Sequence, residues 1–552
     1  MACYRRRNNK GTWTKPEWFT FYDAGAFWAF LISKTRDRTR LYFFAHNGAF
    51  DLPVLSAFTQ LPARGFKLTK AIVDAPPIDM TWRNESRSIR FIDTLNIWRM
   101  PLAVLGDSVG LRKLRMPRPE ESEARQLAYC RRDVKVIMLA VLNWLDFLKT
   151  NDLGGFKPTL ASQAFGTYRH RFMPHELFIH DNERALDVER NSYVGGRCEC
   201  FRLGSYDGPF YYLDVNSMYP SVMKSNLYPC KLLSCYKHMT LDDLERRRYE
   251  FAMIADVTIR TREADYPLVH DKKLVFPVGE FRVCLAGPEF WAAFDAGHVV
   301  QLHRVALYEQ AELFTEYVDY VYGERLKAKA AGNIGASFNF KVLANSLYGK
   351  FGQRGRRFET VDECDPNIVD IEQWIDYDNE LLVTRRSFGG IVQEWITEGE
   401  AYHSFPAIAS YVTSYARRVL AEAVNTADRE NCYYCDTDSL VVNQDGWDKL
   451  QHLVDANRLG AWKLETTLER MTLYGPKDYI FDDVQRVKGV RANAVWLSSS
   501  VVEQDQFVGF RGLVRHGSLD APIVKRIRKK QHRIYTKGIP DATGRVSPLE
   551  IG

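Results

Sequence analysis

The chain has 552 residues, of which 46% are apolar and 26% charged, and its 75 Lys and Arg against 69 Asp and Glu give a formal net charge of +6. This is the balance of an ordinary globular protein of about three or four domains, and it excludes a disordered chain, a collagen-like repeat and a disulfide scaffold. No stretch approaches the roughly 20 uninterrupted apolar residues that a membrane-spanning helix needs. The basic start of the chain also has no apolar segment behind it that would make a signal peptide.

Four local basic clusters say more about a binding partner than the modest net charge does. They are Arg5 to Arg7, Arg246 to Arg248, Arg354 to Arg357, and Lys525 to Arg533. A single cluster is as often a solvated face, but four in one chain favour a polyanionic partner.

The 10 cysteines are scattered along the chain. Cys432 and Cys435 have the spacing of half a zinc site, but no second cysteine or histidine pair completes it. Because this pair lies in an apolar run, core packing is the preferred interpretation. We therefore expect a reducing compartment and no structural metal.

In chain order, strands first alternate with helices. Residues 41 to 55 predict a buried strand, a polar turn and a new apolar segment, and residues 86 to 105 predict a strand followed by a helical pattern. Residues 124 to 148 repeat apolar residues at i, i+3, i+4 and i+7, which predicts a long helix. This alternation indicates an α/β first domain that ends near residue 153, where Leu153-Gly154-Gly155 breaks the pattern.

The middle of the chain is mixed. Residues 210 to 223, FYYLDVNSMYPSVM, predict a strand that runs into a helix. Residues 311 to 330 and 338 to 349 predict two helices joined by a Gly-Asn turn. CYYCDTDSLVV (432 to 442) has two β-rich apolar runs around a polar tip, which predicts a hairpin.

The hairpin tip carries two carboxylates. Asp436 and Asp438 flank Thr437, and carboxylates this close repel each other unless a cation lies between them. A simple polar turn would explain this triplet alone, but Asp214 also ends an apolar strand. Oxygen ligands at the ends of adjacent strands suit Mg²⁺. Two such ions about 4 Å apart would activate a primer hydroxyl and stabilise leaving pyrophosphate.

The second predicted helix supplies the opposite charge. Lys341, Asn345 and Tyr348 stand at i, i+4 and i+7 and should share one face. A lysine there could meet a triphosphate and the aromatic ring could lie against a base. Arg325 and Lys329 have the same spacing on the preceding helix. The alternative is a surface lysine and a core aromatic residue.

Several motifs together resemble family B DNA polymerases. LDVNSMYPSVM, KVLANSLYG and YCDTDS resemble motifs A, B and C, in the right order. KDY (477 to 479) resembles the K-x-Y motif near the primer terminus, and SYVGGR (192 to 197) resembles the Y-x-G-G motif that links the exonuclease and polymerase modules. HNGAFD and YCRRD resemble the second and third exonuclease motifs. The resemblance covers about residues 40 to 490.

The resemblance implies roles for individual residues. Asp214, Asp438 and Val215 would hold two Mg²⁺ ions, which Mn²⁺ could replace, with Asp436 as a supporting carboxylate. Tyr219 would lie under the sugar and exclude a 2′-hydroxyl. Further implied residues are Lys341, Lys329, Tyr348, Asn345 and Arg325 for the nucleotide, Tyr193, Gly195, Gly196, Lys477 and Tyr479 for DNA, and Asn47, Asp51, Tyr129 and Asp133 as an exonuclease remnant. Thr94-Leu95 and Lys113 match the exonuclease strand-binding and lysine motifs.

The implied fold class is α/β and α+β multidomain: an N-terminal RNase H-like exonuclease domain, then a right-hand polymerase with palm, fingers, thumb and two insertions. The implied boundaries are 1–153 for the exonuclease-like domain, 154–225 and 407–490 for the palm, 226–316 and 353–406 for the insertions, 317–352 for the fingers, and 491–552 for the thumb. The polar, acidic composition of Val361 to Glu400, with several turn signals, predicts an insertion there.

The long stretches of sequence between motifs A, B and C resemble those of the protein-primed subgroup of phages, adenoviruses and linear plasmids, which carries two insertions there. That subgroup implies primer-template DNA, deoxynucleoside triphosphates and a terminal protein as partners, and no membrane. It implies the cytoplasm of a host cell, or mitochondria for a linear organellar plasmid.

One motif of the family is absent. Residues 1 to 40 offer Asp23 and Asp37 but no D-x-E, and Asp187-Val188-Glu189 matches the letters only after the third motif. We expect no 3′–5′ exonuclease activity, and of a truncated start and a true loss we favour truncation. Two alternatives to a polymerase remain: an inactive DNA-binding scaffold, against which the intact Asp214, Asp438, Lys341 and Tyr219 count, and a nuclease with a vestigial polymerase domain, against which the missing D-x-E counts.

Overall fold

The computed structural model describes residues 1–8, 10–73, 77–355, 357–377, 381–396 and 400–552, so Arg356 of the third basic cluster lies outside the described residues. The first region is built on a four-stranded sheet whose strands lie in the order 40–45, 87–93, 78–84 and 67–73, with the first two parallel. Trp82 and Phe91 on one face of this sheet pack with Trp28 of α1. The elements are β1 (Ala2–Tyr4), β2 (Glu17–Phe19), α1 (Ala24–Ser33), β3 (Arg40–Ala45), α2 (Gly48–Val54), α3 (Ala57–Gln60), β4 (Lys67–Val73), β5 (Ile78–Asn84), β6 (Arg87–Asp93), α4 (Leu102–Ser108) and α5 (Glu123–Thr150). The long helix predicted over 124 to 148 is confirmed as α5.

The second region places a strand and a helix before an antiparallel sheet. The predicted strand-to-helix passage at 210 to 223 is confirmed as β8 and α8. The elements are α6 (Leu160–Thr167), α7 (Glu183–Ser192), β7 (Cys198–Cys200), β8 (Gly204–Val215), α8 (Met218–Ser225), β9 (Tyr228–Tyr236), α9 (Leu241–Glu245), β10 (Ala252–Thr261), β11 (Leu268–His270), β12 (Lys273–Val275), β13 (Val278–Ala286), α10 (Gly287–Asp295) and β14 (Val299–Ala311).

The third region is a helical pair followed by a second antiparallel sheet. The predicted Gly-Asn turn is confirmed, because Gly332 has a φ of +68° and the Asn333 side chain caps the next helix at Ala336. The prediction of a helix from 311 is wrong at its start, since that residue ends β14. The predicted helix 338 to 349 starts earlier and breaks at Leu347. The elements are α11 (Thr315–Ala330), α12 (Ile334–Ser346), α13 (Tyr348–Phe351), β15 (Arg357–Glu363), β16 (Asp370–Asp376), β17 (Leu381–Phe388) and β18 (Ile391–Ile396).

The last region completes a seven-stranded sheet of order β23-β22-β21-β8-β20-β19-β7. The predicted hairpin is confirmed as β19 and β20. The elements are α14 (Pro406–Ala427), β19 (Cys432–Asp436), β20 (Ser439–Val442), α15 (Gln444–Leu450), β21 (Trp462–Gly475), β22 (Asp478–Phe481), β23 (Val484–Val487), β24 (Val495–Trp496), β25 (Val501–Phe507), α16 (Phe510–Arg515), β26 (Val524–Lys530), β27 (Ile539–Pro540), β28 (Val546–Ser547) and β29 (Glu550–Ile551). β29 returns to pair with β13, which gives a five-stranded sheet of order β29-β13-β10-β14-β9.

Two apolar cores tie these regions together. The larger one surrounds α14, whose Ile408, Val412 and Leu420 are buried. The second joins the first sheet to Phe388 of β17 and Phe510 of α16. The sheet β15-β18-β17-β16 is therefore anchored on the N-terminal region. Over the described part of the chain, no helix is both long and apolar enough to cross a membrane.

Candidate active site

The candidate site lies at the ends of two neighbouring strands, β8 and β20. Asp214, next to last in β8, is directly opposite Ser439, the first residue of β20. The Val215 N–H donates to the Asp438 carbonyl at 2.8 Å. Thr437 has a left-handed φ of +64°, which turns the chain sharply between Asp436 and Asp438. The pairing register thus brings Asp214 and Asp438, predicted from separate stretches of sequence, to one end of the sheet.

The two carboxylates share a partly buried space. Burial, and then repulsion by Asp438, raises the pKa of Asp214 to about 7. Burial also raises the pKa of Asp438, and nearby Lys341 opposes the rise in both. A divalent cation would relieve both the desolvation and the repulsion, so this pair fits a metal site. Among the described residues no group of three or more His, Cys, Asp or Glu forms a metal cluster. The backbone carbonyl of Val215, next to Asp214, is a candidate third oxygen ligand.

The Asp436 side chain contacts Lys477, whereas Asp214 and Asp438 lie next to each other. The Asp436 carboxylate is 3.2 Å from the Lys477 ammonium. Lys477 sits in a tight turn with a φ of +61°, and its N–H donates to the Tyr434 hydroxyl at 3.2 Å. The Tyr479 ring stacks on Phe481 with centroids 4.1 Å apart. The K-x-Y residues and the hairpin tip therefore form one surface.

The loop that carries the Y-x-G-G letters lies against the hairpin tip. The Thr437 N–H donates to the Arg197 carbonyl at 2.7 Å, and Gly196 packs so closely on Thr437 that an added Cβ would lie 2.8 Å from its Cγ2. Tyr193 packs on Gly352 after α13. Gly195 and Gly196 thus approach the site through the backbone, as only glycine allows at Gly196.

An aromatic pair borders the site. Tyr219 of α8 stacks on Tyr348 with ring centroids 4.4 Å apart and planes inclined at 28°. Burial raises the pKa of Tyr219, so the phenol is neutral at ordinary pH. Tyr348 begins α13, and only Leu347, whose backbone stays in the α-helical region, separates it from α12, which carries Lys341 and Asn345. Lys341 and Tyr348 both lie near Asp438, and the i, i+7 relation stays a prediction.

The basic residues of α11 and α12 differ in their proximity to the carboxylates. Arg325 donates to the Ser217 hydroxyl at 3.0 Å, at the start of α8. Lys341 and Asn345 are exposed on α12, and Lys341 lies close enough to influence both Asp214 and Asp438. Lys329 is exposed on the last turn of α11.

The exonuclease-like residues assemble around Asp93. Asn47 has a φ of +85°, and its N–H and that of Gly48 donate to the Asp93 carboxylate at 3.1 and 2.7 Å. Burial and the Asp93 charge raise the pKa of Asp51 to about 7. The His46 ring is 2.8 Å from the Thr94 hydroxyl.

The third motif is engaged by a lysine. Lys113 Nζ lies 2.6 Å from Asp133 and 3.9 Å from the centroid of the Tyr129 ring, whose hydroxyl it also contacts. Glu17 pairs with Lys34 at 3.1 Å, Asp23 caps α1, and Asp37 accepts from Ser86. These three acidic residues of the N-terminal stretch are therefore occupied away from Asp51 and Asp133.

The structure adds two features that the sequence did not predict, the Asp93 carboxylate and the buried pair of Arg417 and Glu289. Asp93 lies in the stretch 86 to 105, which predicts a strand followed by a helical pattern. It ends β6, whose pairing with β3 places it beside the residues that follow β3, including Asn47. Arg417 and Glu289 form a buried pair with two contacts of 2.7 Å, and Arg417 also donates to the Val194 and Gly195 carbonyls at 2.7 and 3.0 Å. Nothing local in the sequence marks that pair.

Known proteins resemble this chain along most of its length. The family described as DNA polymerase type B, organellar and viral, matches residues 114–372. The DNA-directed DNA polymerase of Enterobacteria phage PRD1 is 26% identical over 447 residues, 79% of this chain and 72% of that protein. A probable DNA polymerase of Neurospora intermedia is 27% identical over 341 residues, 58% of this chain but only 34% of the fungal protein. The chain thus spans about a third of the length of that fungal relative.

The solved structure of Phi29 DNA polymerase complexed with primer-template DNA matches 92% of this chain and 93% of its own, with a TM-score of 0.66 at 17% identity. This likeness confirms the predicted fold class, an exonuclease-like domain followed by a right-hand polymerase. The chain is similar to the DNA polymerases of type B, organellar and viral, over residues 114–372, and to the phage and fungal DNA polymerases above; like its PRD1 relative, it is a DNA-directed DNA polymerase.

Proposed function

We propose that the chain extends a primer on a DNA template by two-metal nucleotidyl transfer. The observation that carries the proposal is the meeting of Asp214 and Asp438 at adjacent strand ends, where burial raises the pKa of both carboxyls. A cation beside such a pair would favour the ionised form of both carboxyls. When bound there, Mg²⁺ or Mn²⁺ would lower the pKa of the primer hydroxyl and balance the charge of the leaving pyrophosphate.

The chain's own residues position the substrates around these carboxylates. Lys341 places positive charge beside the pair, where it can bind the triphosphate, and Arg325 and Lys329 extend that charge along α11. Tyr219 and Tyr348 form a flat stack suited to the sugar and base. Lys477, already paired with Asp436, can hold the primer strand next to the tip.

The test is extension of a labelled primer on a DNA template with Mg²⁺. Asp214→Ala or Asp438→Ala should lower the rate by about a thousandfold or more, because each removes several kcal/mol of charge stabilisation. Asp207→Ala is the matched control, since Asp207 is exposed on the same strand β8. DNA binding should survive all three changes. Full-rate extension by Asp214→Ala would refute the mechanism, and no extension by the unchanged protein would favour the inactive scaffold.

Priming by a protein hydroxyl is the second part of the proposal. Two sheets lie in the chain between the motif-bearing elements, β9-β14-β10-β13 and β15-β18-β17-β16. They support protein priming because neither supplies a residue of the carboxylate pair, which leaves their outer surfaces available to a priming protein. The chain, labelled deoxynucleotide and a host extract should give a protein whose label survives denaturation and nuclease treatment. Label confined to nucleic acid would contradict protein priming while leaving primer extension untouched.

A further inference from the structure

The first sheet has one apolar and one polar face. Its pairing aligns Arg83, Ser88 and Arg40 in one row across β5, β6 and β3, and Lys70, Thr81, Arg90 and Tyr42 in the next row. The neighbouring rows, such as Leu68, Trp82, Ile89 and Leu41, point to the buried core. Since side chains alternate between faces, the cations of all four strands project to the same outer side.

These cations line a groove. Its volume is about 420 Å³, and its walls are Arg40, Thr69, Lys70, Thr81, Arg83 and Arg90. Buried Asp79 contacts Lys70 at 2.7 Å and Arg90 at 2.8 and 2.7 Å, so it fixes the direction of these two side chains. Arg40 and Arg83 are exposed and form no ion pair with a described residue. Four cations against one carboxylate leave the groove strongly positive.

An exposed aromatic residue lies beside the cations. Tyr42 follows Arg40 by two residues on β3 and is directly opposite Arg90. It is 44% exposed, and its ring is stacked with Phe44 at 6.3 Å and 13°. A ring of this kind next to fixed positive charge offers a base a stacking surface and a backbone phosphate a partner.

We propose that this groove binds single-stranded DNA, with phosphates at Arg40 and Arg83 and a base on Tyr42. A single strand fits both features, because its bases are free to stack while its phosphates remain accessible. The groove is separate from the exonuclease-like residues: Arg40 begins β3, whereas His46 and Asn47 follow its end. It is also separate from Asp214 and Asp438, so it is a second polynucleotide surface beyond the proposed polymerase site.

The test measures binding of a labelled short oligothymidylate by fluorescence anisotropy. A saturating unlabelled primer-template hairpin occupies the polymerase site during the measurement. Arg40→Gln/Arg83→Gln should weaken binding at least about threefold and reduce the slope of log affinity against log salt by about 1.4, from two lost phosphate contacts. Tyr42→Ala should weaken binding about fivefold or more with the salt slope unchanged. Lys237→Gln/Arg262→Gln, which removes the same charge from exposed positions elsewhere, is the control.

A second measurement locates the contact. An oligonucleotide carrying 5-iodouracil should crosslink on irradiation to the peptide that contains Tyr42, and tripolyphosphate should compete only weakly. Equal loss of binding in the groove and control variants, or crosslinks confined to other peptides, would overturn the proposal. Strong competition by tripolyphosphate with no effect of Tyr42→Ala would instead identify a simple anion site and also overturn it. Extension of the hairpin by the same preparation reports separately on the proposed polymerase function.

Discussion

Replacing Arg417 should separate the stability of this protein from the placement of its active-site loop. Arg417 of α14 and Glu289 of α10 are each 1% exposed and meet through two contacts of 2.7 Å. The same guanidinium donates to the Val194 and Gly195 carbonyls, which precede the glycine that packs on Thr437. The Arg417 side chain therefore both neutralises the buried Glu289 carboxylate and holds the loop beside Asp438 through two hydrogen bonds.

The expected cost of Arg417→Met follows from the uncompensated charge it leaves. Removing one partner of a buried ion pair costs about 3–5 kcal/mol. At roughly 2–4 °C per kcal/mol for a cooperative unit of 150–250 residues, the unfolding transition that contains α14 should fall by about 6–20 °C. The two lost loop hydrogen bonds, at about 1 kcal/mol each, should lower the midpoint by roughly a further 4–8 °C.

Glu289→Met/Arg417→Met distinguishes the two roles. Replacing both partners of a buried pair by apolar residues is often neutral or stabilising, so thermal unfolding followed by circular dichroism should recover most of its midpoint. The loop carbonyls still lack their donor, so the affinity for primer-template DNA and the extension rate should remain low. Recovery of both stability and extension in the double variant would refute the positioning role of Arg417.

Three further outcomes are expected. Tyr219→Val should raise the use of ribonucleotides relative to deoxynucleotides, measured as the ratio of their kcat/KM values. The reason is that the Tyr219–Tyr348 stack at 4.4 Å loses the ring that would block a 2′-hydroxyl. An unchanged ratio with retained activity would place Tyr219 away from the sugar. Lys341→Gln should lower kcat/KM for deoxynucleotides about 10- to 100-fold while primer-template affinity, measured without nucleotide, stays constant. The chain should not degrade a labelled single-stranded oligonucleotide in Mg²⁺ or Mn²⁺, because residues 1 to 40 hold no D-x-E, and Glu17, Asp23 and Asp37 are engaged elsewhere. Degradation that Asp51→Ala abolishes would contradict this.

The sequence predicted the strand ends well because their signals are local. Asp214 and the hairpin tip each follow a short run of apolar strand residues, and alternation identifies such runs without knowledge of the fold. The long helix α5 and the Gly332-Asn333 turn have equally local causes. What local patterns could not supply was the register that places Ser439 opposite Asp214.

The errors and omissions arise from tertiary contacts. Residue 311 fits a helical pattern but ends β14, because pairing with β9 satisfies its backbone. The predicted helix 338 to 349 is interrupted at Leu347, and Tyr348, the next residue, packs on the Tyr219 ring of another element. Arg417 and Glu289 are 128 residues apart, so only the assembled core explains why two charged residues are buried there.

The same dependence on close packing makes Gly196 a sharp test of the active-site geometry. A Cβ at Gly196 would lie 2.8 Å from Thr437 Cγ2, closer than real Cβ atoms come, and 3.0 Å from its Oγ1, which is also a tight contact. The tip cannot withdraw freely, since the Thr437 N–H donates to the Arg197 carbonyl at 2.7 Å. Gly196→Ala should therefore displace Asp438.

A displacement of about 1 Å at a catalytic group can cost about 100-fold in rate, so we expect Gly196→Ala to lower extension by that order with little change in the unfolding midpoint. Gly195→Ala is the comparison, because nothing lies within 4 Å of a Cβ built there, and it should lose far less. Gly196→Ala/Thr437→Gly removes the clashing side chain and also suits the φ of +64° at that position. It should recover most of the lost rate. If the double variant stays as slow as Gly196→Ala, the contact between this loop and the hairpin tip does not set the position of Asp438.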